Sequence, residues 1–248
     1  MINIKYKVHP SYKQTESFVK SLPVIFSSEG AIIYEKRNVV KSFTIKEECL
    51  IVKQYKKPNI IQRISYSFFR PSKAKRAYNY AIQLLDMGIS TPFPVAFLEI
   101  YKNGFFKQGY FVSTTDNRPS CKDIESEKPE SQHLTDALAG FIVSMHEKGF
   151  LHGDLNLSNI LYSLEGNNQY NFSIIDTNRS HFINNPSKKL CYKNMMRISH
   201  KRSLIKNIVS KYAELRKWPI DDSVNAVLGY LSSFERKRKI IWMLKRLK

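Results

Sequence analysis

Cysteine, glycine and acidic residues are all scarce in this chain, and each scarcity removes a class of protein. The three cysteines, Cys49, Cys121 and Cys191, are odd in number and far apart, with no C-x-x-C pair. A disulfide framework and a structural zinc site are therefore not encoded, and reduced thiols are expected. Nine glycines and ten prolines in 248 residues exclude a fibrous or low-complexity chain. Gly30 is the only glycine before Gly88, so a glycine-rich phosphate loop is missing. No run of about 18 apolar residues occurs, so no membrane-spanning helix is expected. The amino terminus MINIKYKVHP lacks the apolar core of a signal peptide. Acidic residues number 21 against 40 Lys and Arg, a formal charge of +19. Such a field favours anionic partners.

What remains is ordinary globular composition, 42% hydrophobic and 12% aromatic. Residues 1–70 alternate like strands. Ala31–Tyr34, Val39–Ile45 and Cys49–Tyr55 read as a three-stranded meander with turns at Glu35–Asn38 and Lys46–Glu48. A helix is expected from Ser72, a good N-cap, to Gly88, with Ala74, Ala77, Ala81, Leu84 and Leu85 at helical spacing. Val95–Tyr101 and Phe105–Ser113 read as a hairpin turning at Asn103-Gly104. The polar stretch 114–130 reads as a linker. A helix over Ser131–Lys148 follows, then short strands near Ile160–Tyr162 and Phe172–Ile175 joined by the turn segment Leu164–Asn171, then helices from Ser187 onward. That last quarter holds 17 Lys and Arg against 4 acidic residues. Its end interleaves Arg236–Lys239 with Ile240, Ile241, Trp242 and Leu244, the composition of a basic interfacial helix or of a C-terminal helix packed on the lobe with a solvated basic face.

The chemistry concentrates in His152-Gly153-Asp154-Leu155-Asn156-Leu157-Ser158-Asn159 and in Ile174-Ile175-Asp176-Thr177-Asn178-Arg179. A hairpin between them returns the chain to where it left, which brings Asp176 beside Asn159. Phosphoryl transfer needs that set. Asp154 would orient and deprotonate the attacking hydroxyl; Asn159 and Asp176 would hold Mg²⁺ with hard oxygen donors. Upstream, Leu50-Ile51-Val52-Lys53 is an apolar strand ending in a lysine suited to the α- and β-phosphates of ATP. Lys36 and Arg37, in a turn, would either neutralise phosphate where glycine amides usually do or form a solvated hairpin tip. His152 reads as loop support, Asn156 and Arg179 as substrate contacts or support, and His146 as a helix-surface residue. Between Pro71 and Asp86 there is no acidic residue to orient Lys53.

The segments HGDLNLSNIL, IIDTNR, VKQYK and SKAKRAYNYAIQLLDMGISTP resemble the lipopolysaccharide core kinases of the Kdo/WaaP type, most closely the Bacteroidetes-type members, over roughly residues 30–185. The resemblance implies an α+β, two-lobed protein-kinase-like fold. Its N-lobe, 1–113, would be a small antiparallel sheet with one helix, followed by a linker, 114–130, and a mainly helical C-lobe, 131–248. It implies ATP- and Mg²⁺-dependent phosphorylation of a hydroxyl on 3-deoxy-D-manno-octulosonic acid (Kdo) or heptose in lipid A–core, at the cytoplasmic face of the inner membrane. A protein or small-molecule kinase of the same fold, or a catalytically weak binding module, are the alternatives. Gly153 replaces the arginine of protein kinases, so no switch reading a phosphorylated loop is expected. Neither nucleic-acid binding nor an obligate protein partner is expected, since no helix-turn-helix, zinc finger or RNA-reading aromatic motif accompanies the charge.

Overall fold

The computed structural model describes residues 1–126, 131–166 and 169–246. The last residues of the expected linker, the tip of the Leu164–Asn171 turn and the end of the basic tail lie outside them. The chain divides into two compact units, Met1–Asn117 and Arg118–Lys248.

The first unit is built on one antiparallel sheet. Its strands are β1 (Ile2–Val8), β2 (Ala31–Glu35), β3 (Val39–Ile45), β4 (Glu48–Gln54), β5 (Pro94–Lys102) and β6 (Phe105–Thr114), in the order β1-β5-β6-β4-β3-β2. Alternation along the strands supplies two apolar faces. Leu50, Val52, Ala96, Leu98, Tyr110 and Val112 face helix α1 (Glu16–Ile25), which contributes Val19 and Leu22. Tyr55, Phe97 and Phe111 face helix α3 (Lys73–Asp86), which contributes Ala74, Ala77 and Tyr78. Ser72 caps α3, accepting from the Lys75 amide at 3.2 Å. A short helix α2 (Ile60–Ile64) runs into a wider turn at Ser65–Phe69.

The expected three-stranded meander and hairpin are present as β2–β4 and β5–β6, but the expectation of one helix needs correction: helices α1 and α2 and the edge strand β1 are added to them. Helix α1 carries Phe18, Val19, Leu22 and Ile25 at helical spacing, but Pro23 in its last turn reads as a breaker. A buried cation closes its end. The Lys41 ammonium, from β3, donates to the carbonyl of the C-cap residue Phe26 at 2.7 Å and to that of Glu29, in the turn beyond the helix, at 2.8 Å.

The second unit is mainly helical. Helix α4 (Ser131–Glu147) is followed by β7 (Phe150–Leu151), the hairpin β8 (Ile160–Glu165) and β9 (Gln169–Ile174), and β10 (His181–Phe182), which pairs with β7. Helices α5 (Lys188–Met195), α6 (Arg202–Leu215) and α7 (Ile220–Arg246) complete it. Leu138, Ile142 and Met145 of α4, Ile208 and Tyr212 of α6, and Val227 and Leu231 of α7 are fully buried. Gly149 ends α4 with φ +80°, and a Cβ there would lie 2.8 Å from the Ile183 carbonyl oxygen. Gly149→Ala should lower unfolding free energy by roughly 1–3 kcal/mol in urea titration, from left-handed strain plus this clash.

Candidate active site

The loop between β7 and β8 is fastened from both ends. Leu155 and Leu157 are buried, and the Leu157 amide donates to the Ile198 carbonyl at 3.2 Å. The Asp154 carbonyl oxygen accepts from two carboxamides, Asn156 Nδ2 at 3.0 Å and Asn159 Nδ2 at 2.9 Å. Asn156 Oδ1 then accepts from the Ser158 amide at 3.0 Å. Both ends of the Asn156 side chain are thus spent on the loop. For Asn159 this geometry commits Nδ2 and leaves Oδ1 as the end that could meet a cation.

His152 supports the same loop. Its Nδ1 accepts from the Asp154 amide at 3.1 Å, so Nε2 carries the proton and donates to the Ile175 carbonyl at 2.9 Å. Burial holds its pKa below the ordinary value. Gly153 is required by a close approach. A Cβ there would lie 2.0 Å from the Arg179 carbonyl oxygen, so any side chain would push the Arg179 segment away.

Asp176 follows β9. The Ile160–Ile174 pairing and the Ile175 amide, donating to the Asn159 carbonyl at 3.0 Å, put the start of one strand beside the end of the other. Asp176 has φ +60°, a left-handed conformation that aspartate tolerates better than most residues. Its Oδ1 accepts from Asn178 Nδ2 at 2.5 Å. A carboxylate and a carboxamide oxygen are hard donors and suit Mg²⁺. Among the described residues no cluster of three or more His, Cys, Asp or Glu is suited to a metal. Asp176 and Asn159 could hold such an ion together with the phosphate oxygens of a nucleotide.

Two guanidiniums face the Asp154 carboxylate. Arg197 lies 2.6 Å from Oδ1, a close ion pair without hydrogen-bond alignment, and Arg179 lies 3.9 Å from Oδ2. Arg197 also stacks 5.0 Å from the Phe234 ring centre. Sequence reasoning missed Arg197, because one arginine in a basic tail carries no spacing signal. An open cavity of about 300 Å³ adjoins it, lined by Lys122, Asn156, Ser158, Arg197, His200 and Arg238.

His146 corrects the surface expectation: it is fully buried. Asn194 Nδ2 donates to the His152 carbonyl at 2.6 Å, so its Oδ1 accepts from His146 Nε2 at 3.0 Å, and Tyr212 OH donates to His146 Nδ1 at 2.9 Å. The bonding that this chain of groups needs draws the ring inside. In the first unit, Lys53 on β4 pairs with Phe111 and shares the face that α3 covers, 5.4 Å from the Tyr55 ring centre. The buried carboxylate on that face is Glu99 of β5, which accepts from Tyr101 OH at 3.2 Å. Lys36 and Arg37 are exposed in the β2–β3 turn.

A family model described as the lipopolysaccharide kinase (Kdo/WaaP) family matches residues 34–218. The chain belongs to that family. It is an ATP-dependent phosphotransferase with an alcohol group as acceptor. Among solved structures it is similar to WaaP in complex with acyl carrier protein, at 15% identity and TM-score 0.62, covering 96% of this chain and 99% of that one. It is also similar to the Rio2 kinase-ADP/Mg²⁺-phosphoaspartate complex from Chaetomium thermophilum, at 13% identity and TM-score 0.51, covering 88% and 77%. No curated protein sequence matches. These likenesses give the lipopolysaccharide kinase an α+β, protein-kinase-like fold.

Two outcomes follow. Arg197→Ala should lower kcat about tenfold or more by freeing the Asp154 carboxylate, with KM for ATP unchanged and partial recovery in Arg197→Lys. Burial, reinforced by Arg216, depresses the His146 pKa to about 4. The unfolded chain therefore binds this proton first as pH falls. The stability is intact above about pH 6.5 and declines toward pH 4, by about 3 kcal/mol for this group. Denaturant titrations at pH 7 and pH 4.5 should show the decline, and His146→Gln should flatten it.

Proposed function

We propose that this kinase transfers the γ-phosphate of ATP to a sugar hydroxyl, on Kdo or heptose, of the lipopolysaccharide inner core. The supporting observation is the double hold on the Asp154 carbonyl by Asn156 and Asn159, with Asn159 tied in turn to the strand end that carries Asp176. Mg²⁺, when bound, neutralises the triphosphate and steadies the transferring phosphoryl group. Asp176 and Asn159 Oδ1 would hold it. Lys53 would contact the α- and β-phosphates, and Lys36 and Arg37 would neutralise phosphate from their turn. The Asp154 carboxylate accepts the hydroxyl proton as the oxygen attacks, and Arg197 and Arg179 fix its orientation.

Kdo carries a carboxylate, and lipid A–core carries phosphates. The cavity beside Arg197, with Lys122, Arg197 and Arg238 against the single carboxylate of Glu125 on its wall, suits such an anionic sugar. Among the described residues no helix is long and apolar enough to cross a membrane. The end of α7 exposes Ile240, Ile241, Trp242 and Leu244 next to Arg236–Lys239. We take it as a peripheral anchor to an anionic surface at the cytoplasmic face of the inner membrane, each basic residue contributing about 1 kcal/mol.

Purified protein with Mg-ATP should transfer radiolabel to Kdo-containing lipid A. Asp154→Ala should slow transfer by on the order of 10²–10⁴-fold, and Asp176→Ala should abolish it. Transfer to proteins or free sugars but not to the glycolipid would refute the acceptor assignment.

A further inference from the structure

The segment from Lys56 to Arg70 presents a surface that phosphoryl transfer does not use. It is held in place. The Asn59 side chain caps α2, accepting from the Gln62 amide at 2.9 Å. Ser67 Oγ donates to the Arg63 carbonyl at 2.6 Å and accepts from the Phe106 amide at 2.8 Å. Tyr66 packs edge-on against Phe106 with ring centres 5.4 Å apart. Tyr66 and Ser67 thus face the sheet, while Ile60, Ile61, Phe68 and Phe69 are turned outward at 74%, 78%, 64% and 82% exposure. Phe105, at the start of β6, extends the patch, with its ring 5.9 Å from that of Phe68 and 5.9 Å from the Arg63 guanidinium.

Large aliphatic and aromatic side chains clustered in water at such exposure mark a surface that a partner covers. The charge around them selects the partner. Lys56, Lys57 and Arg70 are exposed, and Arg63 lies within the patch. From Cys49 to Leu85 the sequence holds eight Lys and Arg and no Asp or Glu. Protruding apolar side chains ringed by cations, with no carboxylate among them, complement a hydrocarbon layer beneath phosphate headgroups.

We propose that α2 and the Ser65–Phe69 turn form a docking platform for the surface of an anionic phospholipid bilayer. Ile60, Ile61, Phe68 and Phe69 enter the headgroup–acyl boundary, and Lys56, Lys57, Arg63 and Arg70 meet lipid phosphates. The platform lies in the first unit and is distinct from the basic end of α7. It does not rest on the acceptor assignment, and its test needs no ATP.

The test is co-sedimentation of the 248-residue chain with vesicles of phosphatidylglycerol and phosphatidylethanolamine, and with phosphatidylcholine vesicles. The intact tail of α7 is present in every sample. Wild type should bind the anionic vesicles. Phe68→Ser/Phe69→Ser and Lys56→Glu/Lys57→Glu should each weaken binding roughly tenfold or more. Because these side chains are exposed, melting temperatures should stay at the wild-type value. Ile60→Ser/Ile61→Ser serves as a second apolar variant should the phenylalanine pair melt early. Wild-type failure to bind anionic vesicles would overturn the proposal. So would double variants that bind like wild type, or a patch protected from hydrogen exchange only by a protein partner and never by vesicles.

Discussion

One backbone oxygen organises the loop between β7 and β8. The Asp154 carbonyl takes hydrogen bonds from the carboxamides of Asn156 and Asn159 at once. Local side-chain bonds of this kind compete with regular secondary structure, and here they hold in one conformation a loop whose regular structure is the single 3-10 turn Leu157–Asn159, capped by Asn156. The consequences run outward. With Nδ2 committed, Asn159 has a defined oxygen end. With its carbonyl held, Asp154 presents its carboxylate to Arg197 and Arg179. With His152 bridging the Asp154 amide and the Ile175 carbonyl, the strand end before Asp176 is tied to the same loop.

Gly153 belongs to the same constraint. The Arg179 carbonyl occupies the space a side chain would need. In this chain the absence of an arginine between His152 and Asp154 thus has a steric cause. Behind the loop, Tyr212, His146 and Asn194 pass hydrogen bonds from the core of α6 to the His152 carbonyl. A buried polar chain is costly unless every member is paired, and here each ring and amide atom finds a partner.

Much of this was legible in the sequence because it is local. The H-G-D-x-x-x-x-N spacing, the hairpin return to Asp176 and the N-cap Ser72 are short-range patterns with direct physical meaning. The lipopolysaccharide kinase family was legible for the same reason. What was not legible is long-range. Arg197 reaches Asp154 across 43 positions, and nothing in its neighbours distinguishes it from the other basic residues after Ser187. His146 sits at the end of an amphipathic helix where a surface place was the simplest reading; its burial depends on Asn194 and Tyr212 from other helices. Helix α1 and strand β1 were hidden by Pro23 and by a polar, exposed edge strand. Ile60, Ile61, Phe68 and Phe69 look like core residues until the structure turns them outward.

The central claim is that Asp176 and Asn159 hold the metal while Asp154 handles the acceptor proton. Electron paramagnetic resonance of Mn²⁺ added with ATP separates these roles without any acceptor. The account predicts a bound Mn²⁺ signal in wild type, its loss in Asp176→Ala and its retention in Asp154→Ala. A signal lost in Asp154→Ala but kept in Asp176→Ala would contradict it.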